Sequence, residues 1–233
     1  MAPAADGQPG SGLGDGATAQ PAPELTAAER PAAQALFGDR LPVAQRYVAH
    51  LASTGIVRGL IGPREAPRLW SRHVLNCAVI ESLIAEGARV ADVGSGAGLP
   101  GLCLAIARPD LQLTLIEPLE RRVIWLNEVV EDLQLEGVRV LRARGEQVDE
   151  LPGGSSPDIV TARAVSGLGG LLDFTLPLLG GTGSLLALKG RSAADEVEKA
   201  RRQLKRYRVS STEVLTLGED LLEEPTTVVR VSL

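Results

Sequence analysis

An α/β fold with a mostly parallel sheet is predicted by the sequence of 233 residues, and three observations support this prediction. Over about 120 residues after Gly87, short apolar runs typical of buried strands alternate with amphipathic helical patterns. A glycine-rich turn joins the first of these strands to the helix that follows it. Near the C-terminus, two strand-like runs at 207–215 and 226–231 predict a hairpin, which adds an antiparallel edge to the sheet.

The first 86 residues differ from the rest of the chain and divide into two parts. Residues 1–23 consist almost entirely of Ala, Gly, Pro, Ser, Asp and Gln. Such a segment has too little apolar surface to offset its ordering entropy, so we expect a disordered tail. Residues 24–86 are predicted to form an N-terminal helical extension. Within them, apolar residues recur at helical spacing in three segments, 32–37, 41–51 and 69–85.

The remaining residues, 87–233, are predicted to form the domain that contains the sheet. Buried strands are expected at 89–93, 111–116, 138–141, 158–162 and 184–188. Helices are expected at 100–107, 119–135, 168–178 and 193–206. Because helices alternate with these strands, right-handed crossover connections place the strands parallel to one another.

Composition excludes several classes of protein. Two cysteines, Cys77 and Cys103, without C-x-x-C spacing, and two histidines cannot form a disulfide scaffold or a zinc cluster, so no metal is expected. No apolar run approaches the roughly 20 residues of a membrane-spanning helix. The N-terminus also lacks the basic start and apolar stretch of a signal peptide, so we expect a cytoplasmic protein without membrane contact. The net charge of −5 argues against a bulk nucleic-acid coat protein but permits a local basic face.

The glycine-rich turn has the pattern D-x-G-x-G-x-G, which begins at Asp92 and includes Gly94 and Gly96. Glycines allow positive φ and close approach of a ligand, and free N–H groups at the start of the following helix suit an anionic group. A dinucleotide fingerprint would need glycine where Leu99 stands, and a phosphate-binding P-loop would need a nearby lysine. A buried Asp92 would repel a pyrophosphate but suits an ammonium group, directly or through water. An amino-acid moiety is therefore favoured as the ligand, and a turn that only tightens packing is the alternative.

Glu117 ends the second predicted strand, 23 positions after Gly94. An acidic side chain at this place hydrogen-bonds ribose hydroxyls in nucleoside-binding α/β folds, whereas an isolated one is usually a surface residue. Together with the glycine turn, Glu117 favours ribose binding. An amino acid joined to a ribose describes S-adenosylmethionine, which becomes the expected cofactor.

Several motifs of this chain resemble those of the RsmG (GidB) family, bacterial 16S rRNA guanine-N7 methyltransferases. They are DVGSGAGLPG at 92–101, WSRHVLN at 70–76, RGE at 144–146, TARA at 161–164 and LKG at 188–190. The resemblance covers about residues 40–190, and the motifs occur in the order of the family. The chain departs from the family pattern at 57–62, where an Asn-Leu-Thr element is common, and at Asn76-Cys77, where Asp-Ser is common.

The resemblance implies a class I methyltransferase sheet, Rossmann-like, with an N-terminal helical extension. It implies S-adenosylmethionine contacts at Gly94, Leu99, the Gly145-Glu146 pair and Arg163, with Glu146 near the adenine and Arg163 at the cofactor and substrate pocket. The implied activity is methylation of N7 of a guanine in 16S rRNA, either free or within the small ribosomal subunit. We expect a monomer.

Guanine N7 carries an in-plane lone pair and no proton, so its methylation depends on positioning and needs no general base. Methylation of cytosine C5 would need an activated thiolate, and Cys77 and Cys103 are both interpreted as core residues. Methylation of an adenine amino group usually involves a Pro-Pro-aromatic motif, where this chain has Ala162-Arg163-Ala164. The predicted site is therefore composed of Asp92, Gly94, Gly96, Leu99, Glu117, Gly145, Glu146 and Arg163, with Arg163 as the catalytic residue.

Four basic features keep alternative interpretations. Arg163 either faces the substrate or forms a structural ion pair, and His73 is either a packed helical histidine, which we favour, or a base. Lys189 either contacts phosphate or does not. For rRNA contacts the stretch 58–72 is preferred over the charged segment 193–206, whose acidic residues interleave with the basic ones.

Two rival functions remain. A small-molecule methyltransferase would keep the cofactor loop but would show no RNA affinity with steep salt dependence. A non-catalytic module would use a cofactor-like pocket to bind a nucleotide or a partner, and would transfer no methyl group to RNA.

Overall fold

A computed structural model describes residues 17–148, 151–152 and 154–233. It contains one seven-stranded sheet with strand order β3-β2-β1-β4-β5-β7-β6. The strands are β1 (Arg89–Val93), β2 (Gln112–Ile116), β3 (Val138–Leu141), β4 (Ile159–Arg163), β5 (Ser184–Lys189), β6 (Ser211–Leu217) and β7 (Thr226–Ser232). Strands β1 to β5 are parallel, and β7 is antiparallel to both β5 and β6. The predicted mostly parallel sheet with a C-terminal antiparallel hairpin is confirmed.

Helices surround the sheet and also form the region that precedes it. The α-helices are α1 (Glu29–Phe37), α2 (Leu41–His50), α3 (Asn76–Ala78), α4 (Gly101–Ala107), α5 (Glu120–Asp132), α6 (Leu168–Thr175), α7 (Ala193–Lys199) and α8 (Arg201–Arg206). Between α2 and β1 the chain also forms a 3₁₀ turn at Pro63–Arg68 and a wide π-type turn at Leu69–Leu75. No helix among the described residues is long and apolar enough to cross a membrane.

The charged segment 193–206, predicted as one helix, is two helices. Ala200 separates α7 from α8 with φ −89° and ψ 1°, which lies outside the regular helical region. Its side chain is buried, while the flanking charged residues are largely exposed. The periodic pattern could not reveal this bend because alanine and the neighbouring charged residues are all good helix formers.

The predicted disordered tail is only partly within the structure, because residues 1–16 lie outside the described residues. Residues 17–23 differ from the prediction, since hydrogen bonds hold them on the helical extension. The Gln20 N–H donates to the Ala52 carbonyl at 2.9 Å, and the Trp70 indole N–H donates to the Pro23 carbonyl at 3.0 Å. Composition missed these contacts because they involve the backbone of the segment and not its side chains.

Each face of the sheet has its own apolar core. Leu113 and Leu115 of β2 face the core that contains the helical extension and α4, whereas Ile116 faces the core that contains α6. The first core is continuous from the extension to the sheet, since the buried Tyr47 and Trp70 belong to the same cluster as β2. The extension therefore shares a hydrophobic core with the sheet.

Candidate active site

The glycine turn lies at the carboxyl end of β1, where ligands bind in open α/β sheets. Gly94, Gly96 and Gly98 all have positive φ, of 73°, 57° and 82°. A Cβ atom at Gly94 would lie 2.8 Å from Cγ2 of Val165, so the turn requires glycine there. The Gly94 N–H donates to the Ile116 carbonyl at 2.9 Å, which ties the turn to the end of β2.

Asp92 lies beneath this turn and is almost completely buried. One carboxylate oxygen accepts a hydrogen bond from the Gly101 N–H at 3.2 Å, and the other accepts from the Thr161 hydroxyl at 2.9 Å. Burial raises the pKa of Asp92 to about 6, against the lowering effect of these hydrogen bonds. The carboxylate thus connects the start of α4 to β4 and supports the turn from below.

Glu117 follows β2 and is also almost completely buried. Its carboxylate accepts hydrogen bonds from the Gly96 N–H at 2.9 Å and from the Leu119 N–H at 3.0 Å, and Arg122 Nη1 lies 3.6 Å away. Each carboxylate oxygen has a further lone pair, so these contacts leave capacity for a hydroxyl donor. Glu117 both fixes the glycine turn and lines the adjoining cavity.

Three cavities meet at Ala164, which directly follows β4 and has a φ of 54°. The first has a volume of about 600 Å³ and is lined by Glu117 and Gly94 among others. The second, of about 240 Å³, is lined by Gly94, Gly96, Leu99, His73 and Arg163, among others. The third, of about 1070 Å³, is lined by Arg163, Arg72 and Lys189, among others. One backbone position therefore borders two smaller cavities at the glycine turn and a larger one next to them.

Gly145 and Glu146 lie in a short 3₁₀ turn after β3. A Cβ at Gly145 would approach Val93 Cγ1 at 2.8 Å, so the turn packs closely against β1. Glu146 is exposed, and its carboxylate lies 3.9 Å from Arg144 Nη1. Their neighbours Arg144 and Gln147 line the 600 Å³ cavity, so the predicted pair stands at its edge.

Arg163 is the last residue of β4, and its partners all come from the segment 72–77. Its guanidinium donates to His73 Nδ1 at 2.8 Å, to Cys77 Sγ at 3.2 Å and to the Arg72 carbonyl at 3.4 Å. Within the described part of the chain, no carboxylate forms an ion pair with Arg163. Arg163 therefore does not form the structural ion pair that was the alternative interpretation, among the described residues.

The other residues with open interpretations are also placed. His73 is 8% exposed with both ring nitrogens hydrogen-bonded, as expected for a packed histidine, and Cys77 and Cys103 are buried. Lys189 Nζ lies 2.9 Å from a Glu196 carboxylate oxygen and donates to the Ser166 carbonyl at 2.7 Å. Because Glu196 neutralises this lysine, it is a weak phosphate ligand as placed.

Sequence reasoning missed two residues of the site. The buried Tyr47 hydroxyl donates to the Ala97 carbonyl at 2.6 Å, which attaches the helical extension to the glycine turn. Arg122 lines both cavities at the turn, and its Nε is buried without a hydrogen-bond partner among the described residues. Tyr47 is indistinguishable from a core residue in the apolar pattern, and no sequence signal separates Arg122 from Arg121, the other arginine of α5.

Comparison with known proteins agrees with this geometry. The profile of the family described as rRNA small subunit methyltransferase G (GidB) matches residues 40–224. The ribosomal RNA small subunit methyltransferase G of Pseudarthrobacter chlorophenolicus is 66% identical over 208 residues, which are 89% of this chain and 95% of that protein. The protein of the same name from Thermobifida fusca is 56% identical over 202 residues, 87% of this chain and 84% of its own.

Among solved structures, M. jannaschii TYW2 in complex with AdoMet is similar in fold, with a TM-score of 0.52 and 19% identity. The match covers 70% of this chain and 76% of that chain. The strand order, the glycine turn at the end of β1 and the extent of the sequence match lead to one assignment. The chain belongs to the rRNA small subunit methyltransferase G family.

Proposed function

We propose that the protein transfers a methyl group from S-adenosylmethionine to N7 of a guanine in 16S rRNA. The observation that carries the proposal is the meeting of three cavities at Ala164, within a chain that belongs to this family. Two small cavities at the glycine turn and one large cavity beyond β4 provide separate places for a methyl donor and an acceptor base. A pocket for a small ligand typically measures roughly 300–1,000 Å³, a range that the two smaller cavities together reach.

The residues at the glycine turn fit S-adenosylmethionine. The positive-φ glycines leave space at the backbone, and the Glu117 carboxylate offers an acceptor for ribose hydroxyls. The unpaired Nε–H of Arg122 needs an acceptor that the described protein atoms do not supply, and a ligand carboxylate or hydroxyl would satisfy it. A ligand with hydroxyl and carboxylate groups thus matches the donor and acceptor set of both cavities.

Each residue of the proposed site has a distinct role. Gly94, Gly96 and Leu99 hold the methionine end, and Asp92 fixes the turn from below. Glu117 binds the ribose, and Gly145 with Glu146 form the edge of the adenine site. When bound, S-adenosylmethionine supplies an electrophilic methyl group on a sulfonium sulfur.

Arg163 acts on the acceptor side. Arg163 lines both the 240 Å³ and the 1070 Å³ cavities, and guanidinium donors suit the O6 carbonyl of guanine, which neighbours N7. Held there, the base presents its lone pair toward the glycine turn. Because N7 carries no proton, orientation by Arg163 serves the reaction without a general base.

The substrate face of the proposed enzyme is the basic stretch 58–72. Arg64, Arg68 and Arg72 are exposed there, and Arg72 also lines the large cavity. Arg64→Glu is expected to lower the affinity for 16S rRNA while leaving S-adenosylmethionine affinity unchanged, because phosphate contacts dominate RNA binding. Arg202→Glu, an exposed reversal on α8, is the matched control and leaves RNA affinity unchanged. If Arg64→Glu lowers the affinities for both 16S rRNA and S-adenosylmethionine, the assignment of this substrate face is wrong.

We further propose that the protein acts as a cytoplasmic monomer on 16S rRNA or the small ribosomal subunit. Its relatives carry names that refer to small-subunit rRNA, and sedimentation of the purified protein tests the oligomeric state.

Comparison of nucleoside digests tests the function directly. 16S rRNA from cells with and without the gene is digested, and 7-methylguanosine is quantified by mass spectrometry. Deletion should remove one 7-methylguanosine, and the wild-type gene should restore it. Gly94→Asp should fail to restore it, since a side chain there meets Val165. Gly170→Asp introduces the same charge on an exposed position of α6 and should restore it.

The rival functions give other results. An unchanged digest in the absence of a redundant enzyme contradicts the rRNA assignment and favours a small-molecule acceptor. Bound S-adenosylmethionine with no methyl transfer to any RNA favours a non-catalytic module.

A further inference from the structure

Arg163 depends on a histidine for its position, and that histidine is held in one tautomer. The guanidinium has only donors, so His73 Nδ1 must accept the 2.8 Å hydrogen bond. His73 Nε2 therefore carries the hydrogen, which it donates to Glu65 Oε2 at 2.8 Å. The ring is neutral in this arrangement, and both of its nitrogens are used.

Glu65 completes a chain of four groups that runs from β4 to the surface of the helical extension. Its other carboxylate oxygen, Oε1, accepts from Arg68 at 2.6 Å, and Arg72 Nε lies 4.0 Å from Oε2. The hydrogen bond from His73 lowers the pKa of Glu65, so this carboxyl group is ionised at neutral pH. The order along this chain of hydrogen bonds is thus a cation, a neutral ring, a carboxylate and a second cation.

We propose that His73 and Glu65 are positioning residues, which hold the Arg163 guanidinium toward the acceptor cavity through the neutral Nε2–H tautomer of His73. This inference rests on the proposed function, because Arg163 is the group that orients the base. Nothing in the reaction itself requires a proton from His73. Its role is to supply one acceptor of fixed direction to a cation that has no carboxylate partner among the described residues.

The arrangement makes the site sensitive to acid. When His73 takes a proton at Nδ1, the ring changes from acceptor to donor and becomes a cation facing Arg163. Burial and the charge of Arg163 lower the pKa of His73, Arg72 lowers it further, and Glu65 raises it in part. These are the charged groups that face the ring from β4, from its own segment and from the turn Pro63–Arg68. Loss of the Glu65 charge should therefore move protonation of His73 to lower pH.

The two histidines of the chain allow a test that needs no activity. In a His50→Asn background, ¹⁵N-histidine spectra report His73 alone. We expect the Nε2–H tautomer at neutral pH and a titration that moves to lower pH in Glu65→Gln, whose amide oxygen still accepts from Nε2. Asp132→Asn, in the chain with His50 intact, is the matched control, because Asp132 binds His50 Nε2 at 2.8 Å in a second, more exposed carboxylate–histidine pair. It should leave the His73 titration unchanged. An Nδ1–H tautomer, or an unmoved titration in Glu65→Gln, overturns the inference.

The kinetic test follows kcat against pH on 16S rRNA. The wild type should lose kcat as His73 takes a proton, and Glu65→Gln should shift this acidic limb to lower pH. His73→Asn keeps an acceptor at the Nδ1 position without titrating, so it should stay within about tenfold of wild type and lose the limb. His73→Leu should fall by roughly 10²-fold, the effect of misplacing a positioning group. Equal kcat in the Asn and Leu variants, or an Asn profile identical to wild type, overturns the positioning role.

The two tests also separate this inference from the proposed function. If the wild type methylates no RNA at any pH, the proposed function fails, and the tautomer still reports the arrangement of His73. If the wild type is active and His73→Asn and His73→Leu have equal kcat, the proposed function stands and the positioning role is wrong.

Discussion

The buried carboxylate of Asp92 should cost the protein stability at neutral pH, and Asp92→Asn should recover it. The side chain is 1% exposed, and its oxygens accept from the Gly101 N–H and the Thr161 hydroxyl. An asparagine can keep both contacts, since its oxygen accepts from Gly101 and its amide donates to the Thr161 oxygen. The substitution therefore removes the charge and leaves the geometry of the turn.

The magnitude follows from the shift in the pKa of Asp92, which rises from 3.8 to about 6 because the group is buried. A raised folded-state pKa means that the folded protein binds the proton more tightly than the unfolded chain, so stability is present below the unfolded pKa and is lost as pH rises through the folded one. Each unit of difference between the folded and unfolded pKa is worth about 1.4 kcal/mol, so this loss amounts to about 3 kcal/mol at pH 8. Asp92→Asn should therefore be nearly neutral near pH 4 and more stable than wild type by up to about 3 kcal/mol above pH 7.

Urea unfolding of the ligand-free wild type and variant between pH 4 and pH 8 measures this difference. The free-energy difference between the two proteins isolates Asp92, because all other titrating groups are shared. Asp158→Asn gives a control of opposite sign, since Arg89 lowers the pKa of Asp158 and the variant should lose stability at neutral pH. A difference for Asp92→Asn that is independent of pH, or that falls as pH rises, would refute the reasoning.

Three further predictions concern the turn and its neighbours. Tyr47→Phe removes the hydroxyl that donates to the glycine turn, and urea unfolding should show a loss of about 1–3 kcal/mol. Gly98→Ala forces an alanine to φ 82° against a neighbouring leucine, and should lower stability by at least about 1 kcal/mol, whereas Gly170→Ala at an exposed position of α6 should not. Arg122→Gln should weaken S-adenosylmethionine binding, measured by calorimetry, by at least tenfold, about 1.4 kcal/mol. The exposed control Arg139→Gln should leave the affinity unchanged. Equal affinities in the two variants would contradict the role of Arg122.

The sheet was predictable because its strands are short apolar runs bounded by turns. The predicted bounds 89–93 and 138–141 agree with β1 and β3 as they stand in the structure. Features that depend on tertiary contact were not predictable. The bend at Ala200 and the attachment of residues 17–23 leave no periodic signal, because alanine favours helix and Gln20 binds through its backbone.

The candidate site was predictable in location and only partly in its contacts. Glycines and acidic residues at strand ends point to the carboxyl edge of a parallel sheet, where the structure places Asp92, Gly94, Glu117 and Arg163. The spacing of these residues could not show that the carboxylates of Asp92 and Glu117 accept hydrogen bonds from the glycine turn itself. Such bonds depend on how the turn folds back over its own strand.

The helical extension contributes contacts to the candidate site. It provides the Tyr47 hydroxyl that holds the glycine turn, and its segment 72–77 provides every described hydrogen-bond acceptor of the Arg163 side chain. A different extension would remove both the Tyr47 contact to the turn and the partners of this arginine. The same extension exposes Arg64 and Arg68, and its buried residues belong to the apolar core that it shares with the sheet. Under the proposed roles of Arg64 and Arg163, changes to the extension should affect kcat as well as RNA affinity.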